Sequence, residues 1–327
     1  IPMFSKDVLA IDVEKEIARI AEVLRAQVLG QLRRKGIVVG LSGGIDSSVT
    51  AALAVRALGK ERVFTVFMPE AHSSDDSLRL GESVAAALGV DSTLENIEPA
   101  LRGLRCYERI EEAIRWVVPE FGPGWKYKLV IPSILESERL NVTRLTVKSP
   151  EGETRTVRLT AEAYLQIVAA TNFKQRVRKM TEYYHADRLN YAVAGTPNRL
   201  EYDQGFFVKQ GDGAADVKPI AHLYKTQVYA LAEALGIPEE VRRRPPTTDT
   251  FPLEQTQEEF YFALPYHLMD LCLHAKNHGV PAAEVGPVVG LTGEQVERVY
   301  KDIDAKRRTT RYLHERPLLI DKVGEVA

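Results

Sequence analysis

The apolar residues at the start of the chain switch between helical and strand-like spacing. Residues 12–32 place apolar side chains three and four positions apart, with Lys, Glu and Arg between them, which predicts an amphipathic helix. Residues 37–41 form a short continuous apolar run, typical of a strand that is buried on both faces. Helical spacing then resumes and ends at Gly59, a residue type that commonly ends helices. The pattern therefore predicts a buried strand between two helices.

The same alternation continues as far as residue 97. Residues 62–68 and 92–97 have the composition of strands, and residues 74–88 between them have helical spacing. Strands that alternate with helices build a parallel sheet with helices on both of its faces. We therefore predict an α/β fold with a doubly wound parallel sheet.

The middle of the chain has a different pattern of apolar and polar residues. A helical stretch at 105–118 is followed by three β-rich stretches, which are Tyr127 to Ile134, Leu140 to Val147 and Thr154 to Leu159. The turn sequence Ser-Pro-Glu-Gly at 149–152 joins the last two as a hairpin. We interpret residues 125–159 as a hairpin-rich β insertion in an otherwise alternating domain.

The second half of the chain contains long helices and two irregular stretches. Thr160 is placed to cap a helix that runs to about His185, and a strand from Tyr191 to Gly195 follows it. The irregular stretches are the glycine-rich loop 196–220 and residues 242–254, with a helix at 223–235 between them. Loops of that length in compact domains are often functional. We predict a single domain over 1–327, with a helical C-terminal segment at about 257–327.

Composition excludes several classes of function. The chain has 327 residues and a net charge of −2, so it lacks the basic excess of a general nucleic-acid binder. It contains no run of about 18 apolar residues, so we expect no membrane span and a cytoplasmic location. Cys106 and Cys272 lie far apart without a CxxC partner, which argues against a metal-thiolate site or a disulfide framework.

A glycine- and serine-rich loop directly follows the first predicted strand. Paired glycines let backbone amides approach an anion, and the N-terminus of the next helix adds partial positive charge. The loop lacks the spacing and the lysine of a Walker motif. Its string SGGxDS instead resembles the PP-loop of the ATP pyrophosphatases, which hold the pyrophosphate that leaves when ATP donates AMP. We expect eight residues to bind ATP here: Leu41, Ser42, Gly43, Gly44, Ile45, Asp46, Ser47 and Ser48.

The carboxylate of Asp46 gives the loop a second property. A carboxylate beside a triphosphate is repulsive unless a cation bridges the two, and Mg²⁺ is the usual bridge. We therefore expect Mg²⁺ as the cofactor and ATP as the co-substrate. The alternative, a tight turn in which Ser and Asp merely cap a helix, explains one of these residues but not six consecutive matches.

Five further segments of the sequence together resemble the NAD synthetase family, whose members convert deamido-NAD to NAD. The segments are Asn172–Arg178, Gly195–Thr196 with Glu201 and Gly205–Lys209, Gly211–Ile220, Pro245–Asp249 and Lys306–Arg308. The most specific of them is the string GDGxAD in Gly211–Ile220, which follows Gly-Phe-Phe-x-Lys. The resemblance implies the doubly wound fold of the adenine nucleotide α-hydrolase type.

The resemblance also implies roles for individual residues. On the ATP side, Thr196, Lys225 and Thr247 would contact ATP, and Asp46, Lys225 and Thr247 would be catalytic. Asp46 and Glu201 would hold Mg²⁺, as hard oxygen ligands for a hard cation. Deamido-NAD would be bound by Arg176, Lys209, Asp216 and Lys306. Without the resemblance, Lys225 and Arg176 are explained equally well as solvated charges on helices.

The activity that the resemblance implies is an AMP-forming carbon–nitrogen ligation. The nicotinate carboxylate of deamido-NAD would attack ATP to form an acyl-adenylate, and ammonia would then displace AMP. Because no glutaminase segment is evident, ammonia would be free or supplied by a separate glutaminase. The resemblance further implies a homodimer. Two alternatives stay open: a PP-loop ligase or amidotransferase that aminates another adenylated carboxylate, and a regulatory protein that binds ATP without turnover.

Overall fold

A computed structural model describes residues 4–131, 143–247 and 250–324 of the chain. The strands are, in chain order, β1 (Ile37–Gly40), β2 (Val63–Phe67), β3 (Asp91–Leu94), β4 (Lys126–Val130), β5 (Arg144–Lys148), β6 (Thr154–Arg158) and β7 (Ala192–Val193). The helices are α1 (Val13–Arg25), α2 (Ile45–Leu58), α3 (Asp75–Leu88), α4 (Glu98–Gly103), α5 (Cys106–Arg115), α6 (Ala161–Leu189), α7 (Arg199–Gln204), α8 (Lys225–Ala234), α9 (Glu239–Arg243), α10 (Tyr266–Asn277), α11 (Ala282–Val289) and α12 (Gly293–His314).

The central sheet is parallel and has the strand order β3-β2-β1-β7. Ile37 at the start of β1 pairs with Val63 on one side and with Ala192 on the other. The side chains of β1 from Ile37 to Val39 are fully buried, which explains the continuous apolar run in the sequence. Helices α1, α2 and α8 pack together over β1, so the predicted parallel α/β sheet is confirmed.

The β-rich region forms a separate antiparallel sheet with the order β4-β5-β6. Its buried face, which includes Leu145 and Val147, packs on apolar side chains of α5 and α6. The parts of the predicted strands that fall within residues 132–142 lie outside the described residues. The structure therefore contains an antiparallel sheet in the predicted β-rich region, and the insertion at 125–159 stays a prediction.

The long helix α6 begins where the sequence predicts. Thr160 caps it, with its side-chain oxygen accepting a hydrogen bond of 3.1 Å from the amide of Ala163. The helix runs to Leu189 and ends at Asn190, which has a left-handed backbone conformation. It contacts both β1 and β7, so its C-terminal half lies against the central sheet.

The C-terminal helices α10, α11 and α12 form their own apolar cluster. Thr292 and Gln295 make the capping box at the start of α12 that their spacing suggests. Among the described residues, which end at 324, the last helix ends at His314, and the bounds of the helical segment at about 257–327 stay a prediction. Pro317 and charged residues follow that helix, and neither favours its continuation.

Three helices were not predicted from the sequence. They are α4, α9 and α7, and the last of these interrupts the expected loop 196–220. Asn198 and Glu201 form a capping box at the start of α7, so the short helix had a readable signal in Asn-x-x-Glu. Among the described residues, no helix is long and apolar enough to span a membrane.

Candidate active site

The loop between β1 and α2 is held in one conformation by its own serines. The Ser47 hydroxyl accepts a hydrogen bond of 3.2 Å from the Ser42 amide and lies 3.1 Å from the Gly44 carbonyl oxygen, to which it donates. The Ser48 hydroxyl donates to the same carbonyl at 2.8 Å. These bonds fix the N-terminus of α2 at the edge of a cavity, where the helix dipole favours an anion.

Gly43 gives the loop its shape. Its φ of +74° is unfavourable for any residue with a side chain. A Cβ atom at this position would lie 2.4 Å from the carbonyl oxygen of Ser77, at the N-terminal end of α3. The loop therefore approaches α3 so closely that only glycine fits.

An acidic pair, made by Asp46 of this loop and Glu201 of α7, lines the cavity. Asp46 forms an ion pair with the ammonium of Lys225, and its Oδ1 accepts a hydrogen bond of 3.0 Å from Asn198 Nδ2. Glu201, on α7, accepts hydrogen bonds from the Asn198 amide at 3.1 Å and from Gln257 Nε2 at 3.0 Å. Elements that are distant in sequence thus bring two carboxylates and one buried lysine together.

The charges of this cluster perturb one another. Burial and the nearby Asp46 carboxylate raise the pKa of Glu201 to about 8. Burial alone would lower the pKa of Lys225, but the Asp46 and Glu201 carboxylates outweigh it and leave the pKa raised. Lys225 is therefore a cation at neutral pH, and its charge balances that of the Asp46 carboxylate.

The acidic pair suits a magnesium ion that is shared with phosphate groups. Within residues 4–131, 143–247 and 250–324, no cluster of three or more His, Cys, Asp and Glu side chains could hold a metal ion. Mg²⁺ commonly takes only one or two carboxylates and completes its shell with substrate phosphates and water. Asp46 and Glu201 fit that donor set.

A cavity of about 790 Å³ opens over the carboxyl ends of β1, β2 and β7. Ligands of open α/β sheets bind at this end of the strands. Nine of the residues expected to bind ATP line it, which are Leu41, Ser42, Gly44, Ile45, Asp46, Ser47, Thr196, Lys225 and Thr247. Gly43 and Ser48 do not line the cavity, and they contribute to the conformation of the loop. Thr248 and Asp249 lie outside the described residues.

Three of the four residues expected to bind the second substrate also line this cavity. Arg176 comes from α6, Lys209 from the loop after α7, and Lys306 from α12. The Arg176 guanidinium donates to the Lys209 carbonyl at 3.3 Å. Lys306 lies 2.7 Å from Asp302 Oδ2 and 2.7 Å from the Tyr261 carbonyl oxygen. Three cations from separate elements therefore surround one compartment.

Asp216, the fourth residue expected to bind the second substrate, does not lie with Arg176, Lys209 and Lys306. It is exposed and does not line the cavity. Its carboxylate accepts a hydrogen bond of 2.7 Å from the Val193 amide and one of 3.4 Å from the Tyr183 hydroxyl. The structure therefore places Asp216 beside α6 on the outer surface, and a role in substrate binding stays a prediction.

Several charged residues of the cavity were not singled out from the sequence. Lys179 and Glu182 on α6 form a buried ion pair of 2.6 Å, and the Glu182 carboxylate packs on Gly40. Asp212 lines the cavity and accepts a hydrogen bond of 2.7 Å from the Val208 amide. Burial raises the pKa of Asp212. Its place in the GDGxAD string was a usable signal, whereas nothing in the sequence marks Lys179 and Glu182.

The comparisons with known proteins agree with this geometry. The model of the NAD synthase family matches residues 16–116 and 136–312, which is well over half of the chain. The chain belongs to the NAD synthase family. The unmatched residues 117–135 include β4, whereas β5 and β6 lie within the matched part of the family model.

Close relatives of the chain are known in the family. The NH(3)-dependent NAD(+) synthetase of Mesorhizobium japonicum is 68% identical over 317 residues, which cover 97% of this chain and 99% of the relative. The enzyme of the same name from Rhizobium meliloti is 60% identical over 324 residues, which cover 99% of this chain and 97% of the relative. The resemblance predicted from the sequence motifs is thereby confirmed.

Solved structures support the fold. The NH3-dependent NAD synthetase from Campylobacter jejuni superposes with a TM-score of 0.62 at 22% identity, covering 95% of this chain and all of that one. The NMN synthetase from Francisella tularensis superposes with a TM-score of 0.63 at 20% identity, covering 96% of this chain and all of that one. At these identities, the likeness establishes the family fold and nothing finer.

Proposed function

We propose that this member of the NAD synthase family converts deamido-NAD to NAD, using ATP and ammonia and releasing AMP and pyrophosphate. The observation that carries the proposal is a cavity that the phosphate loop at 42–48, including Asp46, lines together with Glu201, Lys225 and three further cations. The 68% identity to an NH(3)-dependent NAD(+) synthetase supports the choice of reaction. The protein is thus a carbon–nitrogen ligase of NAD biosynthesis.

The first chemical step is adenylation. A carboxylate oxygen of the nicotinate ring attacks the α-phosphorus of ATP, the bond from that phosphorus to the bridging oxygen breaks, and pyrophosphate leaves with the electron pair. Lys225 and the N-terminus of α2 face the phosphates and stabilise the charge that develops on them. Mg²⁺ bound by Asp46 and Glu201 would neutralise the phosphate oxygens. The work of the site is positioning and charge stabilisation.

The second step forms the amide. The nitrogen of ammonia attacks the acyl carbon, AMP leaves with the bonding electrons of the mixed anhydride, and one proton is lost from the nitrogen. Neither cysteine of the chain is suited to release ammonia from glutamine. Burial raises the pKa of Cys106 to about 11 and that of Cys272 to about 12, so both are neutral thiols at pH 7. We propose that ammonia comes from solution or from a separate glutaminase, in the cytoplasm.

The experiment for this proposal measures NAD formed from deamido-NAD, Mg-ATP and ammonium chloride, with AMP and pyrophosphate counted alongside. We expect one NAD for each AMP. Release of AMP and pyrophosphate with some other acid, without NAD formation, would favour the ligase for a different carboxylate. Binding of ATP without pyrophosphate release from any acid would favour the regulatory protein.

We further propose that the protein works as a homodimer in which α6 contacts the second copy. Leu165, Met180 and Tyr184 lie on one face of α6, and each of these residues is more than 60% exposed. Asp216 lies next to this face through its hydrogen bond with Tyr183. A partner packed on α6 would therefore bring its own atoms close to Asp216, the one expected substrate ligand that lies outside the cavity of its own chain.

Replacing Met180 with Glu should convert the dimer to a monomer. The new carboxylate would be buried without a counter-ion in the proposed interface, which is strongly unfavourable. Sedimentation velocity of the wild type and the variant measures the change. Trp116→Glu is the matched control, because Trp116 is similarly exposed but lies outside α6. A Met180→Glu variant that stays dimeric would argue against α6 as the contact.

A further inference from the structure

A fully buried lysine makes three polar contacts beneath the wall of the cavity. The ammonium of Lys174, on α6, lies 3.0 Å from Glu70 Oε1, 2.8 Å from His72 Nδ1 and 2.7 Å from the Thr250 carbonyl oxygen. Only 1% of the lysine side chain is exposed, and Glu70 is fully buried. An ammonium has three hydrogens, so the three acceptors satisfy it completely.

The protonation states agree with this geometry. The pKa of His72 is lowered to about 4 by burial and by the charge of Lys174, so the imidazole is neutral and Nδ1 can accept a hydrogen bond. Burial alone would raise the pKa of Glu70, but the charges of Lys174 and Arg178 outweigh it and leave the pKa lowered. Glu70 is therefore a carboxylate, which also accepts a hydrogen bond of 2.8 Å from the Tyr107 hydroxyl.

The three acceptors belong to chain segments that build the site. Glu70 and His72 follow β2, and their neighbours Pro69 and Ser73 line the cavity. Thr250 also lines the cavity and begins the segment 250–257. Lys174 itself does not line the cavity, so it influences bound ligands only through the segments that it holds.

The segment 250–257 connects Lys174, which donates to the Thr250 carbonyl, with the acidic pair of Asp46 and Glu201. The Leu253 amide donates to the Tyr127 carbonyl at 3.3 Å, so the segment is also tied to β4. Near its end, Thr256 forms a β-bridge with Thr247, and the Gln257 side chain donates to Glu201 at 3.0 Å. The conformation of segment 250–257 therefore determines the positions of Thr247 and of Gln257, the residue that donates a hydrogen bond to Glu201.

We propose that Lys174 is a positioning residue for adenylation, which holds the segment 250–257 and the residues after β2 against α6. The reaction named in this inference rests on the proposed function, whereas the positioning role rests on the observed hydrogen bonds alone. Stability is a weak explanation of the arrangement, because burying an ion pair costs desolvation energy that an apolar pair would avoid. A lysine on α6 that satisfies two acceptors on the segment after β2 and one on the segment 250–257 fixes the relative positions of these two segments.

The test replaces Lys174 with Met and measures the deamido-NAD-dependent exchange of pyrophosphate into ATP. We expect kcat for exchange to fall roughly 100-fold, the loss that about 1 Å of misplacement can cause. The KM for deamido-NAD should stay within about twofold, because the Arg176, Lys209 and Lys306 contacts do not depend on segment 250–257. Lys276→Met is the matched control, since Lys276 pairs with Asp304 at 2.8 Å away from the cavity.

A second measurement separates positioning from a general structural role and needs no activity. Hydrogen exchange should rise in peptides from 250–257 and stay unchanged in α2 and α10. A Lys174→Met/Glu70→Gln double variant is measured in parallel, because it leaves no unpaired charge in the interior. The proposal is overturned if the double variant matches the wild type both in hydrogen exchange and in kcat for pyrophosphate exchange. It is also overturned if hydrogen exchange rises throughout the protein. If the wild type forms no NAD, the proposed reaction fails while hydrogen exchange still decides the role of Lys174.

Discussion

Replacing Asp46 with Asn should lower the release of pyrophosphate by about a thousandfold or more. The substitution keeps the shape of the side chain but removes the charge that Lys225 and the expected Mg²⁺ share. Loss of one preorganised electrostatic contact costs about 10²–10³ in kcat, and here two cationic partners lose the same charge. AMP and pyrophosphate release, measured with saturating deamido-NAD, Mg-ATP and ammonium chloride, checks this result.

The control for Asp46→Asn is Asp91→Asn. Asp91 is exposed at the amino end of β3, at the opposite end of the strands from the cavity. We expect wild-type turnover and a wild-type thermal midpoint from Asp91→Asn, and a folded Asp46→Asn protein with a lower midpoint because the buried Lys225 loses its counter-ion. An Asp46→Asn protein that retains turnover would remove the metal assignment.

The Asp46→Asn variant should also change how stability depends on pH, measured in EDTA so that no metal ion is bound. Because the folded-state pKa of Glu201 is about 8, above the ordinary value of 4.5, its contribution to stability is complete below pH 4.5 and is lost as pH rises towards 8. Burial is the larger cause of the raised pKa and Asp46 the next. Asp46→Asn should therefore reduce the fall in thermal midpoint between pH 4.5 and 8 without abolishing it.

The phosphate loop could be read from the sequence because its determinants are local. Gly43 is required by its own backbone conformation, and Ser42, Ser47 and Ser48 bond to atoms within five residues. The parallel sheet was predictable for a related reason, since β1 is a continuous apolar run and β2 is apolar apart from Thr65. The capping boxes at α7 and α12 are equally local, although the first was overlooked.

The charged wall of the cavity could not be read in this way. Helix α6 packs against the central sheet, the β insertion and the segment 250–257 at different points, so its apolar positions do not define one buried face. Lys174 and Glu182 are buried on it, whereas Leu165 and Met180 are exposed. The sequence of the helix alone therefore suggests neither the ion pair Lys179–Glu182 nor the network of Lys174. Asp216 shows the reverse case, in which a motif residue lies outside the cavity of its own chain.

Replacing Gly43 with Ala should have the second large effect, on both stability and turnover. The new Cβ would lie 2.4 Å from the Ser77 carbonyl oxygen and 3.1 Å from the Gly81 amide nitrogen, and both are backbone atoms that cannot rotate away. A strained left-handed residue and an overpacked contact each cost about 1–3 kcal/mol. The loop can relieve the clash only by moving away from α3, which shifts the amides that are expected to hold the phosphates. We expect pyrophosphate release to fall at least roughly 100-fold.

Gly89→Ala separates the two causes of this effect. Gly89 also has a positive φ, of +63°, but a Cβ atom there meets only the flexible side chain of Lys60, at 3.6 Å. It should therefore lower the free energy of unfolding by about 1 kcal/mol through backbone strain alone and leave turnover unchanged. Urea denaturation and pyrophosphate release are measured for both variants. If Gly43→Ala matched Gly89→Ala in both measurements, close packing of the loop on α3 would not be needed for adenylation. A larger loss in both would show that the shape of the loop, and not only its hydrogen-bonding groups, holds the phosphates.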